Sequence, residues 1–420
     1  MNRHLIIYIL ALILVPTRLC AQWTYHSSYQ TPTDAIACGD NVYGLYEGGS
    51  LLVYDTKSEE VNFLSRVTGL SGTSIKLMDY CSGLRTLVLV YDDGNIDLLN
   101  TQTGAITNLP QLQQNPDATL SLNALWANER EALLCTAEGV IHINVANASI
   151  RGYYLIGTTK GARLHDGFIY AQHNDGKVAR CALTGNPQDK ASWENAGTTL
   201  PGTARDNKEA LATLRTNLTP YGPSSSTHYG LRWGQGRLLS VVSHVDGTGR
   251  THDPATIMTY DRRDWNSFST DFSADPEPLD ASSYQNPSDA LEDPADTSHV
   301  FVSYSSVGLA EYKNGKLVTR HGVKNSPLTC LVPDRSDYIR VSALAFDAAG
   351  NLWMANNGAD TVVVCYKADH SWQKYFFSAL KGSTEVDHIT FDHDGHDQVV
   401  HSTYQYWKYN KSNNKGCNHC

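Results

Sequence analysis

Leu87-Val88-Leu89-Val90-Tyr91, then Asp92-Asp93-Gly94-Asn95, then Ile96-Asp97-Leu98-Leu99-Asn100 is the stretch on which the fold turns. Two apolar runs of strand length flank a turn that contains glycine. Tight hairpin turns demand positive φ, which glycine adopts without steric cost. The same unit stands upstream, where Val42-Tyr43-Gly44-Leu45-Tyr46 leads through Gly48-Gly49 into Leu51-Leu52-Val53-Tyr54-Asp55. It recurs downstream as Ala132-Leu133-Leu134-Cys135 with Ile141-His142-Ile143, and as Phe168-Ile169-Tyr170-Ala171 with Val178-Ala179-Arg180-Cys181. The turn glycines Gly49, Gly94, Gly139 and Gly176 are 45, 45 and 37 residues apart. A repeat of about 40–45 residues is the size of a four-stranded propeller blade.

The pattern loosens and then returns. Leu238–Val242 pairs with Thr256–Asp261, 300–304 precedes 308–312, and 352–355 precedes 361–366. That makes seven units between Asp34 and Phe377, and seven blades close a ring. Trp265 with Phe268, and Trp372 with Tyr375, read as outer strands. Residues 23–29, with Trp23 and Tyr25, are expected to add an outer strand to the last blade and seal the ring. Residues 185–229 read as irregular, with a short helix at 207–214. Residues 271–298 carry Asp, Glu, Pro and Ser and read as a long solvated insertion, with an acidic calcium loop as the lesser alternative.

The chain opens with Arg3, an apolar run from Leu5 to Val15, and Ala21 before Gln22. This is the pattern of a secretory signal peptide cut after Ala21, and the run is about half the length of a bilayer span. Cys20 raises a lipid-anchored alternative, but Leu19 stands where a small residue is wanted. No other segment is apolar enough to span a membrane as a helix. The formal charge is −10, and loss of Arg3 and Arg18 with the leader takes it to −12. An acidic chain with no basic stripe is a poor partner for nucleic acid. Nine Cys are present, and Cys20 leaves with the leader. Export permits disulfides among the others, but Cys38, Cys81, Cys135, Cys181, Cys330 and Cys365 read at least as well as buried thiols.

Candidate chemistry is sparse. No nucleophile elbow, zinc-protease helix or phosphate loop occurs. Asp392-His393-Asp394-Gly395-His396-Asp397 resembles a metal loop, but Thr403 stands where a calcium loop needs Glu, so a polar turn is the plainer reading. Cys417 and Cys420 have metal-site spacing without a second half-site. His142 alternates within a strand and reads as structural. Asn147, Asn217 and Asn410 open glycosylation sequons. The 23 Tyr suit sugar rings, though core packing explains them more simply. No catalytic, cofactor or metal residue is assigned, no cofactor is expected, and ligand-binding residues are left open. The chain reads as a non-enzyme.

Several stretches resemble the PorZ family, the propeller component of the Bacteroidetes type IX secretion system. They are 23–29, Thr68-Gly69-Leu70-Ser71, 89–99, 218–223 with 236–239, and 346–353. The last is shared with propellers of sensor kinases. The resemblance runs from Trp23 to about Gly395. It implies an exported protein of the periplasm or outer-membrane surface. The implied partners are the sortase PorU, PorV and PorQ, and the implied role is presentation of anionic lipopolysaccharide to PorU. The family has a second propeller and a C-terminal export domain, whereas 389–395 restart a blade motif that is not continued. The expected fold is therefore all-β, a seven-bladed β-propeller with a truncated start of a second propeller. Residues 1–21 are the signal peptide, 22–380 the propeller, and 381–420 an incomplete second-propeller segment or a disordered tail. Alternatives are a glycan-sensing ectodomain related to two-component sensor kinases, or a propeller enzyme acting on polysaccharide.

Overall fold

Eight four-stranded sheets follow one another along the chain, at 32–64, 75–109, 122–154, 159–195, 230–267, 287–321, 340–375 and 386–418. Within each, strands adjacent in sequence lie side by side. In the fifth, a two-stranded ribbon separates the second strand from the third. The computed structural model describes residues 24–112, 121–242, 254–333, 335, 338–384 and 386–391, and strand placement alone at parts of 243–253 and 392–420. The first seven sheets are the seven units read in the sequence. The fold is an all-β propeller.

The chain divides into two compact units. One holds Ile36–Tyr43 and Leu51–Arg205, and the other holds Ser27–Ala35, Gly44–Ser50 and the chain from Asp206 onward. In the first unit, Val88, Val90, Leu98, Leu134 and Ile143 share one core, contributed by the second and third sheets. Leu133, Cys135, Ala162 and Ile169 share the next, contributed by the third and fourth. Leu87 to Val90 are all fully buried. A strand covered on both faces reads as an unbroken apolar run rather than an alternating one. In the second unit the fifth to eighth sheets stack in the same way, each pair with its own core.

Carboxylates fasten one sheet to the next. Asp79, on the inner strand Ile75–Cys81, accepts the Ala127 N–H of the third sheet at 2.8 Å and the Tyr80 N–H at 2.9 Å. Arg205 Nε lies 3.1 Å from the same carboxylate. The second unit repeats the device. Asp289 accepts the Leu344 N–H of the seventh sheet at 3.1 Å and that of Ala290 at 3.0 Å, and Arg232 grips it at 3.0 and 2.7 Å.

The turn glycines sit at positive φ, and Gly139 is the most constrained, at φ 153°. A Cβ there would collide with the backbone oxygen of Tyr154. Gly139→Ala is expected to destabilise the chain by about 2–3 kcal/mol, from strain and displacement of the strand Ser149–Tyr154 together. Thermal unfolding checks it, and an unchanged Tm would show that the turn relaxes freely.

The structure departs from the sequence reading in four places. Residues 24–28 add no strand, because the seventh sheet supplies its own outer strand, Trp372–Tyr375. Tyr29 instead bridges Tyr221. Residues 271–298 are not a solvated insertion. They contain the first strand of the sixth sheet, Pro287–Asp293, and a buried Asp275 that Arg320 neutralises. The helix Lys208–Asn217 extends past the expected 207–214, with Leu214 buried against Gly44. Finally, the start of the tail is docked rather than loose. Val386 and Ile389 are buried, the Val386 carbonyl accepts from Ser342 and Asn357, and its N–H reaches Asn357 Oδ1 at 3.1 Å.

Candidate functional site

A pocket of about 300 Å³ opens in the second unit, where residues 30, 220–224 and 263–267 meet. Local sequence sets it up. Pro220 and Pro223 stiffen the loop, and Gly222 at φ 79° passes so close to the Ser27 carbonyl that a Cβ would clash. Tyr29 N–H donates to the Tyr221 carbonyl at 3.0 Å. Gln30 Nε2 faces the carbonyls of Tyr221, Gly222 and Pro223 at 3.2–3.4 Å. On the far side, the turn Asp261–Asp264 presents Arg263 and Asp264 just before the outer strand Trp265–Ser267. Asp261 holds that turn by accepting the N–H groups of Arg263 and Asp264 at 2.9 and 2.8 Å.

Aromatic rings shape the walls. Trp265 stacks on Tyr260 with centroids 5.0 Å apart and planes 24° apart, which fixes it as a rigid wall. Tyr221, 54% exposed, borders the pocket. Arg263 forms no ion pair with an acidic group among the described residues. The site therefore combines an aromatic face with planar polar groups, and the polar groups outweigh the apolar ones.

Other titratable clusters are closed. Glu311 accepts from His299 Nε2 at 2.8 Å and from His321 Nε2 at 2.5 Å. Burial alone would raise the Glu311 carboxyl, but these two bonds outweigh it and hold it at about 2. His299 is raised above 6.5, first by its bond to Glu311, against the effect of burial, with Asp293 also contributing. Glu311 therefore adds stability above its ordinary value of 4.5, and loses it as pH falls toward about 2. His299 adds stability below 6.5 and loses it as pH climbs through the raised value. Urea midpoints should peak between about 4.5 and 6.5, and Glu311→Gln should flatten both slopes. Parallel curves for the two proteins would remove this cluster as the cause.

His142 is structural. It is fully buried, with Nδ1 3.0 Å from the Tyr154 hydroxyl. Of the six described cysteines four, Cys81, Cys135, Cys181 and Cys365, are buried, and burial pushes Cys38 and Cys81 up to about 12. Among the described residues no cluster of His, Cys, Asp or Glu is arranged to hold a metal. None of their helices is long and apolar enough to cross a membrane. The signal peptide, most of the Asp392–Asp397 loop, and the Cys417 and Cys420 side chains lie outside the described residues. Sequence reading found Trp265 as an outer-strand residue and quoted Tyr221 within a family stretch. It missed Gln30, Arg263 and Asp264, which no local pattern marks.

Residues 42–194 match the family model of the type IX secretion system PorZ N-terminal β-propeller domain. Over those residues the chain resembles PorZ. Among solved structures, PorZ of Porphyromonas gingivalis, an essential bacterial surface component of the type IX secretion system, aligns with a TM-score of 0.74. The identity is 18%, over 94% of this chain and 67% of that one, so the likeness is one of fold. The extracellular domain of a putative hybrid two-component system from B. thetaiotaomicron gives a TM-score of 0.31 at 11% identity, over 93% of this chain and 61% of that one. No curated protein matches the chain. The PorZ match covers the first four sheets almost entirely, including the Thr68–Ser71 turn and the hairpin at 87–100.

Proposed function

We propose that this PorZ-like chain is a non-enzymatic component of type IX protein secretion. It acts at the outer-membrane surface and presents anionic lipopolysaccharide to the PorU sortase, alongside PorV and PorQ. The leader at 1–21 takes it across the inner membrane. The family match over 42–194 carries this reading, and the fold shared with a surface component of that system supports it. The groups best placed for acid–base work, His299, Glu311 and His321, bond to one another inside the sixth sheet. That is the behaviour of a scaffold.

The test is retention of lipopolysaccharide by the purified chain. Immobilised protein is expected to hold anionic lipopolysaccharide from a type IX-secreting bacterium, and to bind soluble PorU more tightly once loaded. Loss of neither lipopolysaccharide nor PorU on washing supports the reading. Failure to retain either one overturns it.

A further inference from the structure

We propose that the pocket bounded by Gln30, Tyr221, Arg263, Asp264 and Trp265 binds one neutral hexose residue of a glycan. This rests on the lipopolysaccharide reading above and assigns it a place. The recognition is of sugar hydroxyls and a ring face, not of negative charge.

Size comes first. A volume of about 300 Å³ equals the liquid share of about ten water molecules, enough for one sugar ring and part of its hydration. It lies at the small end of ligand sites. Chemistry comes next. The C–H face of a pyranose packs on an aromatic plane, and Tyr221 and Trp265 both line the pocket. Trp265 cannot swing away, because Tyr260 stacks on it and His228 lies 5.8 Å off.

The polar complement fits vicinal hydroxyls. Arg263 supplies a planar fork of donors and Asp264 a two-oxygen acceptor. Ser267 and Ser224 hydroxyls, 3.1 Å apart, close the rim and can turn toward either role. Such groups form paired bonds with two adjacent hydroxyls, which a hydrophobic pocket cannot reproduce.

Charge decides between sugar classes. Arg263 and Asp264 are consecutive and both border the pocket, so their charges cancel. An acidic substituent attracted by Arg263 meets Asp264 beside it. A neutral ring uses both. Binding should therefore be insensitive to salt, unlike binding driven by ion pairs.

The experiment titrates the full chain with methyl hexopyranosides of gluco, galacto and manno configuration, followed by saturation-transfer NMR and Trp fluorescence. At least one is expected to saturate, with little change in affinity between low and high salt. Tyr221→Ala and Asp264→Ala are each expected to weaken it at least tenfold, with Tm unchanged, because both side chains are exposed. Hexose 1-phosphates are expected to bind no better than the neutral glycoside. If no hexoside saturates, if affinity falls steeply with salt, or if the variants bind as the parent does, the proposal is overturned. Lipopolysaccharide retention measured on the same variants separates the two readings. Retention that survives in Tyr221→Ala and Asp264→Ala removes this pocket and leaves the secretion role standing. Hexoside binding without lipopolysaccharide retention does the reverse.

Discussion

Asp275→Ala is expected to destabilise the chain by about 3–5 kcal/mol, the range for breaking a buried ion pair from one side. Asp275 and Arg320 are 3% and 2% exposed. Arg320 Nε bonds the Asp275 carboxylate at 2.5 Å, and the Tyr284 hydroxyl donates to the same group. The guanidinium also reaches the carbonyls of Val307 and Glu277 at 3.3 and 2.9 Å. Removing the carboxylate leaves the guanidinium with two carbonyls and only the more distant Glu277 carboxylate, 4.0 Å from Nη2, and the phenol loses its acceptor. Asp275→Leu combined with Arg320→Met removes both charges, and should recover most of the loss. Urea unfolding of the two single variants and the double variant measures this cycle. A cost within about 1 kcal/mol for Asp275→Ala would show that water reaches the pair.

Asp97→Ala is the second large effect, at about 3 kcal/mol or more. Asp97 has no exposed surface. One carboxylate oxygen accepts the Tyr91 hydroxyl at 2.7 Å and the Ser71 N–H at 2.8 Å. The other accepts Asn108 Nδ2 at 2.9 Å. Alanine takes the acceptor from the buried Tyr91 hydroxyl and from the Ser71 N–H, whereas Asn108 Nδ2 keeps Asn95 Oδ1 and the Ile96 carbonyl. Tyr91→Phe removes one bond and no acceptor, so it should cost about 1 kcal/mol. Thermal unfolding of both variants should rank them in that order. Equal shifts would mean that the carboxylate is replaced by water without penalty.

That network also explains what was legible. Thr68–Ser71 and 89–99 looked like family signatures as separate strings, and the structure joins them through Asp97. The seven hairpins were readable because each depends on neighbours in sequence: an apolar central strand, a turn glycine, a second strand. Asp275 was misread for the opposite reason. Its surroundings have a loop's composition, and its partner lies 45 residues away on another strand. The hexose pocket was invisible in the same way. Gln30, Tyr221 and Arg263 are ordinary surface residues in three distant segments, and only folding brings them to one rim.

The carboxylate fasteners have a consequence for how the chain comes apart. The amide protons of Ala127 and Leu344 are held by side chains of the preceding sheet, not by a partner in their own ladder. Leu344 lies where the register of its strand shifts, next to Ala343 at φ 58°. In deuterated solvent these two protons exchange when two sheets part, even while each sheet keeps its own ladder. Their neighbours inside the strands exchange only when a strand unravels. The two sites thus act as separate clocks for seam opening, one per unit, ticking at the free energy of a single sheet-to-sheet contact.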